Sequence, residues 1–267
     1  MEKSYVWGID LGGTKIECAV LSAADLTQVI ARERIDTEAS KGYEHIISQV
    51  TRLVSRVSEQ LGVSPKRIGF ATPGVLNPAT QTMKNCNTTS MNGRPMAADL
   101  TKALGVEVRL ANDANCFALA ETHLGAVQDV NPKAEVVFGI IMGTGVGGGL
   151  VVHGQVINGL HGIGGEWGHN ILEEGGKACY CGKSGCVEHV ISGPALEEFY
   201  FSNSGQKLRM PHILQAHLAG TDIHASATIE RMLENFGRAV STLINVLDPQ
   251  VIVIGGGVGN IDLLYTE

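Results

Sequence analysis

A strand, a glycine-rich turn and a second strand occur in the same order at two distant places in this sequence. The first copy covers residues 6–21 with Gly12-Gly13-Thr14 at its turn, and the second covers residues 136–152 with its glycines between 143 and 149. A P-loop or a dinucleotide-binding fingerprint would pass from a strand into a helix, and neither copy does so. Each copy is therefore predicted to be a hairpin, and the repetition predicts two halves of similar design.

Helical and strand patterns alternate along the rest of the chain. Residues 45–61 carry an apolar stripe at helical spacing that stops at Gly62, and residues 226–247 carry another that stops at Asp248-Pro249. Short apolar runs at 68–71 and 106–110 are predicted to be strands. Strands that alternate with helices, together with the paired hairpins, predict an α/β fold with a mixed sheet in each of two domains.

Length and charge narrow the class of protein. The chain has 267 residues, 44% of them hydrophobic, which allows two cores, and the predicted boundary gives an N-terminal lobe of residues 1–112 and a C-terminal lobe of residues 113–267. The formal charge of -7 disfavours nucleic acid or an acidic membrane as a partner. No apolar run approaches the ~20 residues needed to span a bilayer, and no signal-peptide pattern precedes the strand at Tyr5. A cytoplasmic location is therefore predicted.

Four possible metal ligands lie close together in the second half: His169, Cys179, Cys181 and Cys186. Three thiolates and one imidazole suit tetrahedral zinc, and four protein ligands leave no open position for a catalytic water, so a structural zinc ion is predicted. A disulfide or unrelated buried thiols are the alternatives, although three cysteines cannot all pair. Carboxylates next to such a loop accept hydrogen bonds from the hydroxyls of a neutral polar ligand such as a sugar.

The glycine turns and one aspartate are the other candidates for chemistry. Two facing turns would offer backbone N–H groups to a polyphosphate, whereas for either turn alone a simple tight hairpin is the favoured interpretation. A third glycine run at 255–257 follows an apolar strand and would let a flat base approach the backbone. Asp113 lies where a strand end enters a helix, at the expected interdomain crevice, and its alternative role is that of a helix N-cap.

Together these motifs resemble the ROK family of bacterial sugar kinases and repressors. The resemblance runs from Tyr5 to the chain end and rests on five motifs: Asp10-Leu11-Gly12-Gly13-Thr14-Lys15, Leu110-Ala111-Asn112-Asp113-Ala114-Asn115, Gly143-Thr144-Gly145, Glu166-Trp167-Gly168-His169 and the segment from Cys179 to Glu188. Within the family, the chain looks most like the fructokinase and mannokinase branch. The resemblance implies a two-lobed, actin-like ATPase fold of the ribonuclease H type, with ATP and sugar in the cleft between the lobes.

The resemblance also implies a role for each motif. Asp113 would be the general base. The sugar would be contacted by Gly74, Asn112, Glu166, His169 and Glu188. The Mg²⁺-ATP phosphates would face Asp10, Gly12, Gly13, Thr14 and Lys15 on one side and Gly143, Thr144 and Gly145 on the other. The adenosine would lie against Gly255, Gly256 and Gly257.

The expected activity is ATP-dependent phosphorylation of a hexose 6-hydroxyl, with D-fructose as substrate and mannose as a second one. Glucose, N-acetylglucosamine and N-acetylmannosamine are alternative acceptors, because an epimer or an acetamido group is sensed by a few contacts only. A sugar-responsive regulator is the alternative from another class. The strand predicted to begin by Tyr5 leaves no room for a helix-turn-helix before it, and this and the net negative charge disfavour a regulator. The resemblance further implies a homodimer. It also implies closing helices after Gly257, and because the sequence does not contain them, a truncated C-terminus is predicted.

Overall fold

The computed structural model describes residues 4–266, so the expectations that concern residues 1–3 and 267 lie outside the described residues. The chain divides into two compact units. The first ends at Cys116 and also contains Asn158–Ile163, and the second contains Phe117–Ile157 and the residues from Gly164 onward. This division falls within the helix that begins at Asp113, whereas the sequence predicts a boundary after Asn112.

The first unit is built on a five-stranded mixed sheet with two helices. In chain order its elements are β1 (Tyr5–Leu11), β2 (Lys15–Ser22), β3 (Val29–Asp36), α1 (Tyr43–Leu61), β4 (Arg67–Thr72), β5 (Val75–Leu76), β6 (Met83–Lys84), α2 (Met96–Leu104) and β7 (Glu107–Asn112). The main sheet has the order β3-β2-β1-β4-β7, and β5 pairs with β6. Strand β1 is antiparallel to β2 and parallel to β4, which is in turn parallel to β7.

One face of this sheet supplies the core of the first unit. Alternate residues of β1, namely Trp7, Ile9 and Leu11, are buried together with the apolar stripe of α1. Helix α1 ends at Gly62, whose φ of 67° is the left-handed conformation that glycine adopts without strain. The predicted hairpin at residues 6–21 and the predicted helix at 45–61 are therefore confirmed.

The second unit has a four-stranded sheet of order β10-β9-β8-β11. Helix α3 (Asp113–Leu124) leads into it, followed by α4 (Ala126–Val130), β8 (Val136–Met142), β9 (Val146–Val152), β10 (Gln155–Val156), α5 (Glu188–Ile191), α6 (Gly193–Ser204), α7 (Met210–Leu218), α8 (Ile223–Leu247) and β11 (Val251–Gly255). Strand β8 is antiparallel to β9 and parallel to β11, so this sheet is mixed as well. Among residues 4–266 no helix is long and apolar enough to cross a membrane.

Both faces of the second sheet are covered. Phe138 and Ile140 of β8 face the larger cluster with α6, α7 and α8, while Val137, just before Phe138, belongs to a smaller cluster with Ala118 and Val127. This alternation is what a strand buried on both sides requires.

The second glycine turn is shorter than predicted. It comprises Gly143–Gly145, and the remaining glycines at 147–149 lie inside β9. The reason is packing, because a Cβ on Gly148 would lie 2.5 Å from Cδ1 of Trp167 and 2.8 Å from Cζ of Phe138. Glycine in this strand therefore lets the loop that carries Trp167 lie directly on the sheet.

Candidate active site

The first glycine turn joins β1 to β2 next to Asp10. The N–H of Gly12 donates to the carbonyl oxygen of Lys15 at 2.9 Å, which closes the hairpin. A Cβ on Gly13 would lie 2.6 Å from Oγ1 of Thr88, so the turn is packed tightly against the segment that follows β6. Thr14 and Lys15 are exposed, which leaves their side chains open to a ligand.

Asp113 lies at the first position of α3, and Asn112 acts as the helix cap. Oδ1 of Asn112 accepts the N–H groups of Ala114 at 3.0 Å and Asn115 at 3.3 Å, the second and third positions of the helix. Oδ1 of Asp113 accepts the N–H of Ala114 at 2.8 Å. Because Asn112 satisfies the helix start, Asp113 is not needed as its N-cap.

The pKa of the Asp113 carboxyl is raised above its ordinary value. Burial among surrounding protein atoms is the main cause and the negative charge of Asp10 adds to it, while the N–H of Ala114 opposes the shift. The side chain nevertheless keeps an exposed surface. The pKa of Asp10 is also raised, first by burial and then by Glu17, which lies opposite it on β2, with Arg34 opposing the shift. The first unit thus holds two acidic groups with raised pKa values, and the charge of Asp10 contributes to the shift of Asp113.

Gly74 is buried between β4 and β5 and faces the protein. A Cβ on it would lie 2.5 Å from Sγ of Cys86, and its carbonyl oxygen accepts the hydroxyl of Thr72 at 3.1 Å. Burial raises the pKa of the Cys86 thiol to about 12, and the charge of Asp113 contributes to the shift. Gly74 therefore belongs to the surroundings of Asp113. Because it has no side chain, only its backbone could contact a ligand.

The second glycine turn joins β8 to β9 and is braced from α5 and α6. The N–H of Gly143 donates to the carbonyl oxygen of Gly145 at 2.9 Å, and the N–H of Gly193 donates to the carbonyl oxygen of Gly143 at 2.9 Å. Oε2 of Glu188 accepts the N–H of Val146 at 3.1 Å. A Cβ on Gly145 would lie 2.5 Å from the same oxygen, so glycine is needed for this carboxylate to reach the turn. Thr144 is exposed at the tip.

The Cys3His set forms one compact cluster in the second unit. The ligand atoms of His169, Cys179, Cys181 and Cys186 all lie within 4.8 Å of one another. Sγ of Cys179 is 3.6 Å from Nδ1 of His169, and Sγ of Cys181 is 3.6 Å from Sγ of Cys186. With Zn–S near 2.3 Å and Zn–N near 2.0 Å, tetrahedral zinc requires separations of about 3.5–3.8 Å. The four residues therefore fit zinc in both donor type and spacing.

The imidazole of His169 turns its two nitrogens to different neighbours. Nδ1 faces the cysteines, while Nε2 is 3.2 Å from the hydroxyl of Tyr180 and 4.0 Å from Oε2 of Glu166. Burial lowers the pKa of His169, which favours the neutral ring that a metal ligand requires. Nζ of Lys183 donates to the carbonyl oxygen of His169 at 3.0 Å.

The short helical turn Trp167–His169 is anchored on β9. Nε1 of Trp167 donates to the carbonyl oxygen of Gly147 at 2.9 Å, and the indole ring meets Phe138 edge to face. A Cβ on Gly168 would collide with the carbonyl oxygen of Val146. The predicted zinc loop and the second glycine turn are therefore parts of one packed structure.

The third glycine run follows β11 and packs against its own unit. A Cβ on Gly255 would lie 2.7 Å from Cζ of Phe117, and Gly256 has a φ of 86°. Gly257 is exposed, and a Cβ there would meet nothing within 4 Å. Of the three glycines, Gly257 offers the most open backbone.

Each unit gathers its own predicted site residues. In the first, Asp10 and its turn, Gly74, Asn112 and Asp113 are grouped, and in the second Glu166, His169 and Glu188 surround the cysteine cluster beside the second turn. Sequence reasoning missed Thr37, Thr88 and Tyr180 as contacts of these groups. Only Tyr180 carries a local signal, since it stands between two predicted zinc ligands.

Comparison with known proteins identifies the family of this chain. Residues 6–267 match the ROK family, and the chain belongs to it. The chain is 38% identical over 270 residues to an N-acetyl-D-glucosamine kinase of Pasteurella multocida, with 97% of this chain and 86% of that protein covered. Its fold superposes on that of a ROK hexokinase from Thermus thermophilus with a TM-score of 0.81 and 33% identity, over 96% of this chain and 82% of the other.

A second solved structure supports the same fold. A ROK family glucokinase from Streptomyces griseus, crystallised with glucose and AMPPNP, has a TM-score of 0.82 at 24% identity, over 98% of this chain and 88% of the other. The predicted actin-like ATPase fold and the predicted class, an ATP-dependent sugar kinase, are confirmed. The predicted fructokinase branch is not supported, since the curated relative is an N-acetyl-D-glucosamine kinase.

Proposed function

We propose that this ROK kinase transfers the γ-phosphoryl group of ATP to the 6-hydroxyl of a hexose, with N-acetyl-D-glucosamine as its preferred acceptor. The choice of acceptor rests on the N-acetyl-D-glucosamine kinase of Pasteurella multocida, which is 38% identical over 97% of this chain. Fructose, the acceptor expected from the sequence motifs, takes second place because no relative named above is a fructokinase.

The environment of Asp113 is the observation that carries the proposal. Asn112 caps helix α3, so the Asp113 carboxylate is available for chemistry. Its raised pKa makes it a better proton acceptor than an ordinary carboxylate. Both properties suit a general base that takes a proton from an alcohol.

The first glycine turn is assigned to the phosphates of the nucleotide. Its exposed backbone N–H groups and the ammonium of Lys15 suit an anion. Asp10 offers carboxylate oxygens, the donors that Mg²⁺ prefers. Burial, and after it the charge of Glu17, raise the pKa of Asp10, and a bound cation would offset both effects. Magnesium, when bound, neutralises charge on the phosphates. Gly143, Thr144 and Gly145 are assigned to the phosphates as well, and Gly255–Gly257 to the adenosine.

The sugar is assigned to Asn112, Glu166, His169 and Glu188 and to the backbone of Gly74. Glu166 and Nε2 of His169 lie on the same side of the imidazole, away from the cysteines. Zinc, when bound by His169, Cys179, Cys181 and Cys186, would close the loop and fix the direction of that ring. The sugar would then meet preset hydrogen-bonding partners.

The chemical step is a single displacement. The carboxylate of Asp113 accepts the proton of the sugar 6-hydroxyl as that oxygen forms a bond to the γ-phosphorus. The bond from that phosphorus to the β,γ-bridging oxygen breaks, and ADP leaves with the electron pair. General-base assistance supplies about 10²–10⁴-fold of the acceleration, so positioning must supply most of the rest.

An ADP-release assay with a panel of sugars tests the proposal. We expect the highest kcat/KM with N-acetyl-D-glucosamine, compared with fructose, mannose, glucose and N-acetylmannosamine. A higher kcat/KM with fructose would restore the fructokinase assignment. ADP release with none of the sugars, together with sugar-dependent DNA binding, would favour a regulator. A homodimer and the lack of nucleic-acid binding remain predictions that sedimentation and a DNA-shift assay can check.

A further inference from the structure

Thr37 is a buried threonine that holds the first glycine turn from outside the hairpin. It follows β3 directly and is 0% exposed. Its hydroxyl donates to the carbonyl oxygen of Gly12 at 2.6 Å, and its backbone N–H donates to the carbonyl oxygen of Thr14 at 2.9 Å. One residue therefore binds the carbonyl groups on both sides of Gly13.

The register of the sheet brings Thr37 to this place. Strands β2 and β3 pair with Lys15 opposite Asp36, so the residue after Asp36 lies level with Thr14. The N–H of Gly12 is used within the hairpin. Within residues 4–266, the N–H groups of Gly13 and Thr14 donate to no protein acceptor. Thr37 thus occupies the acceptors of the turn and leaves two donors open.

These contacts determine what the turn presents to an anion. Carbonyl oxygens repel phosphate and N–H groups attract it, so the orientation of each peptide plane matters. A glycine turn without such anchors would sample many orientations and lose entropy on binding. We propose that Thr37 is a positioning residue for the phosphates of the nucleotide. It fixes the N–H of Gly13 through the peptide plane that this group shares with the Gly12 carbonyl, and it confines the next peptide, which carries the N–H of Thr14, between two anchored peptides. The inference rests on the proposed function, which assigns phosphate binding to this turn.

Burial makes the hydroxyl of Thr37 hard to replace. Thr37 is 0% exposed, and removal of its hydroxyl leaves the carbonyl of Gly12 without its protein donor. Thr37→Val keeps the shape and removes only that donor. Thr37→Ser keeps the hydroxyl. Thr228→Val is the matched control, because Thr228 is also 0% exposed and its hydroxyl donates to a backbone carbonyl, that of His224, at 2.7 Å.

The experiment measures AMPPNP binding by calorimetry with Mg²⁺ and without sugar, on the full chain. We expect Thr37→Val to weaken binding about tenfold. Thr37→Ser and Thr228→Val should stay within about twofold of the wild type. In the kinase assay, Thr37→Val should raise the KM for ATP and leave the KM for sugar unchanged. A merely structural role would lower the melting temperature of both valine variants and move neither constant selectively.

The outcomes separate the inference from the proposed function. Wild-type AMPPNP affinity in Thr37→Val overturns the role of Thr37, as does failure of Thr37→Ser to restore affinity. Nucleotide binding by the wild type without phosphorylation of any sugar overturns the proposed function alone, and no AMPPNP binding by the wild type overturns both. If Thr37→Val does not fold, Thr37→Cys takes its place, since a thiol of similar size is a weak donor.

Discussion

The first glycine turn, Gly12–Thr14, and the second, Gly143–Gly145, close hairpins of the same form but are held in different ways. Thr37 donates to two carbonyl groups of the first turn. In the second turn, the N–H of Gly193 donates to the carbonyl of Gly143, and the carboxylate of Glu188 accepts the N–H of Val146 just beyond the turn. One turn is anchored by a single threonine, the other by a helix start and a carboxylate.

The difference shows that a repeated sequence motif does not imply the same support. The first turn depends on the register of its own sheet. The second is packed beneath the loop of proposed zinc ligands, through Trp167 and Gly168 as well as Glu188. Disturbing the metal should therefore reach the second turn, whereas the first should be unaffected by it. Each prediction below tests one side of this contrast.

The largest effect is expected from Asp113→Asn, because only the first unit carries the proposed base. The variant should lose about 10²–10⁴-fold in kcat, since the amide accepts no proton at neutral pH. The KM for sugar should change little, because the shape is kept. Steady-state kinetics with N-acetyl-D-glucosamine measures both constants, with Asp129→Asn on the exposed face of α4 as control. A variant that binds sugar and retains near wild-type kcat would rule out Asp113 as the base.

Cys181→Ser tests the metal dependence of the second turn. Loss of one ligand should release zinc and raise the KM for sugar about 10–100-fold, because His169 loses its anchor. AMPPNP binding to the first turn should change less. Metal analysis and the KM for sugar are measured on the same preparation, with Ser184→Ala in the exposed part of the same loop as control. An unchanged KM after verified loss of zinc would disconnect the loop from the sugar.

Alanine at one glycine of each turn compares the two turns directly. A Cβ at Gly145 would lie 2.5 Å from the carboxylate of Glu188, and a Cβ at Gly13 would lie 2.6 Å from the hydroxyl of Thr88. The long side chain of Glu188 can swing away from Val146, so Gly145→Ala should raise the KM for sugar about tenfold. The KM for ATP should rise as well, because Gly145 is also assigned to the phosphates.

At the first turn the obstacle is stiffer. Thr88 is branched at Cβ and adapts less, so Gly13→Ala should distort the turn and raise the KM for ATP. Gly237→Ala is the control, because a Cβ there meets nothing within 4 Å. The contrast lies in the KM for sugar, which only Gly145→Ala should raise. If Gly145→Ala leaves the KM for sugar unchanged, or Gly13→Ala raises it equally, the two turns do not differ as proposed.

Local sequence patterns predicted the helices and strands of the fold. Contacts between segments that are distant in the sequence could not be predicted from such patterns. Helix α1 was predictable because its stripe and its stop at Gly62 are adjacent in sequence, and the Cys3His spacing predicted a cluster that the structure forms. The glycines at 147–149 were misassigned to a turn, because the signal for glycine at 148 is a distant contact, the close approach of Trp167. Thr37 carries no local signal, since its role follows from the register of β2 and β3.

The smallest effect is expected in the pH dependence of the reaction. A general base acts when it is deprotonated, so kcat/KM should fall as the pH drops through the pKa of Asp113. Burial and the charge of Asp10 raise that pKa. The acidic limb of the pH profile should therefore lie at a higher pH than the ordinary aspartate pKa of about 3.9. Asp10→Asn removes one of the two raising causes and should move the limb to lower pH, even if its activity is reduced. A limb at the ordinary value, or one that Asp10→Asn leaves in place, would contradict the coupling of the two carboxyl groups.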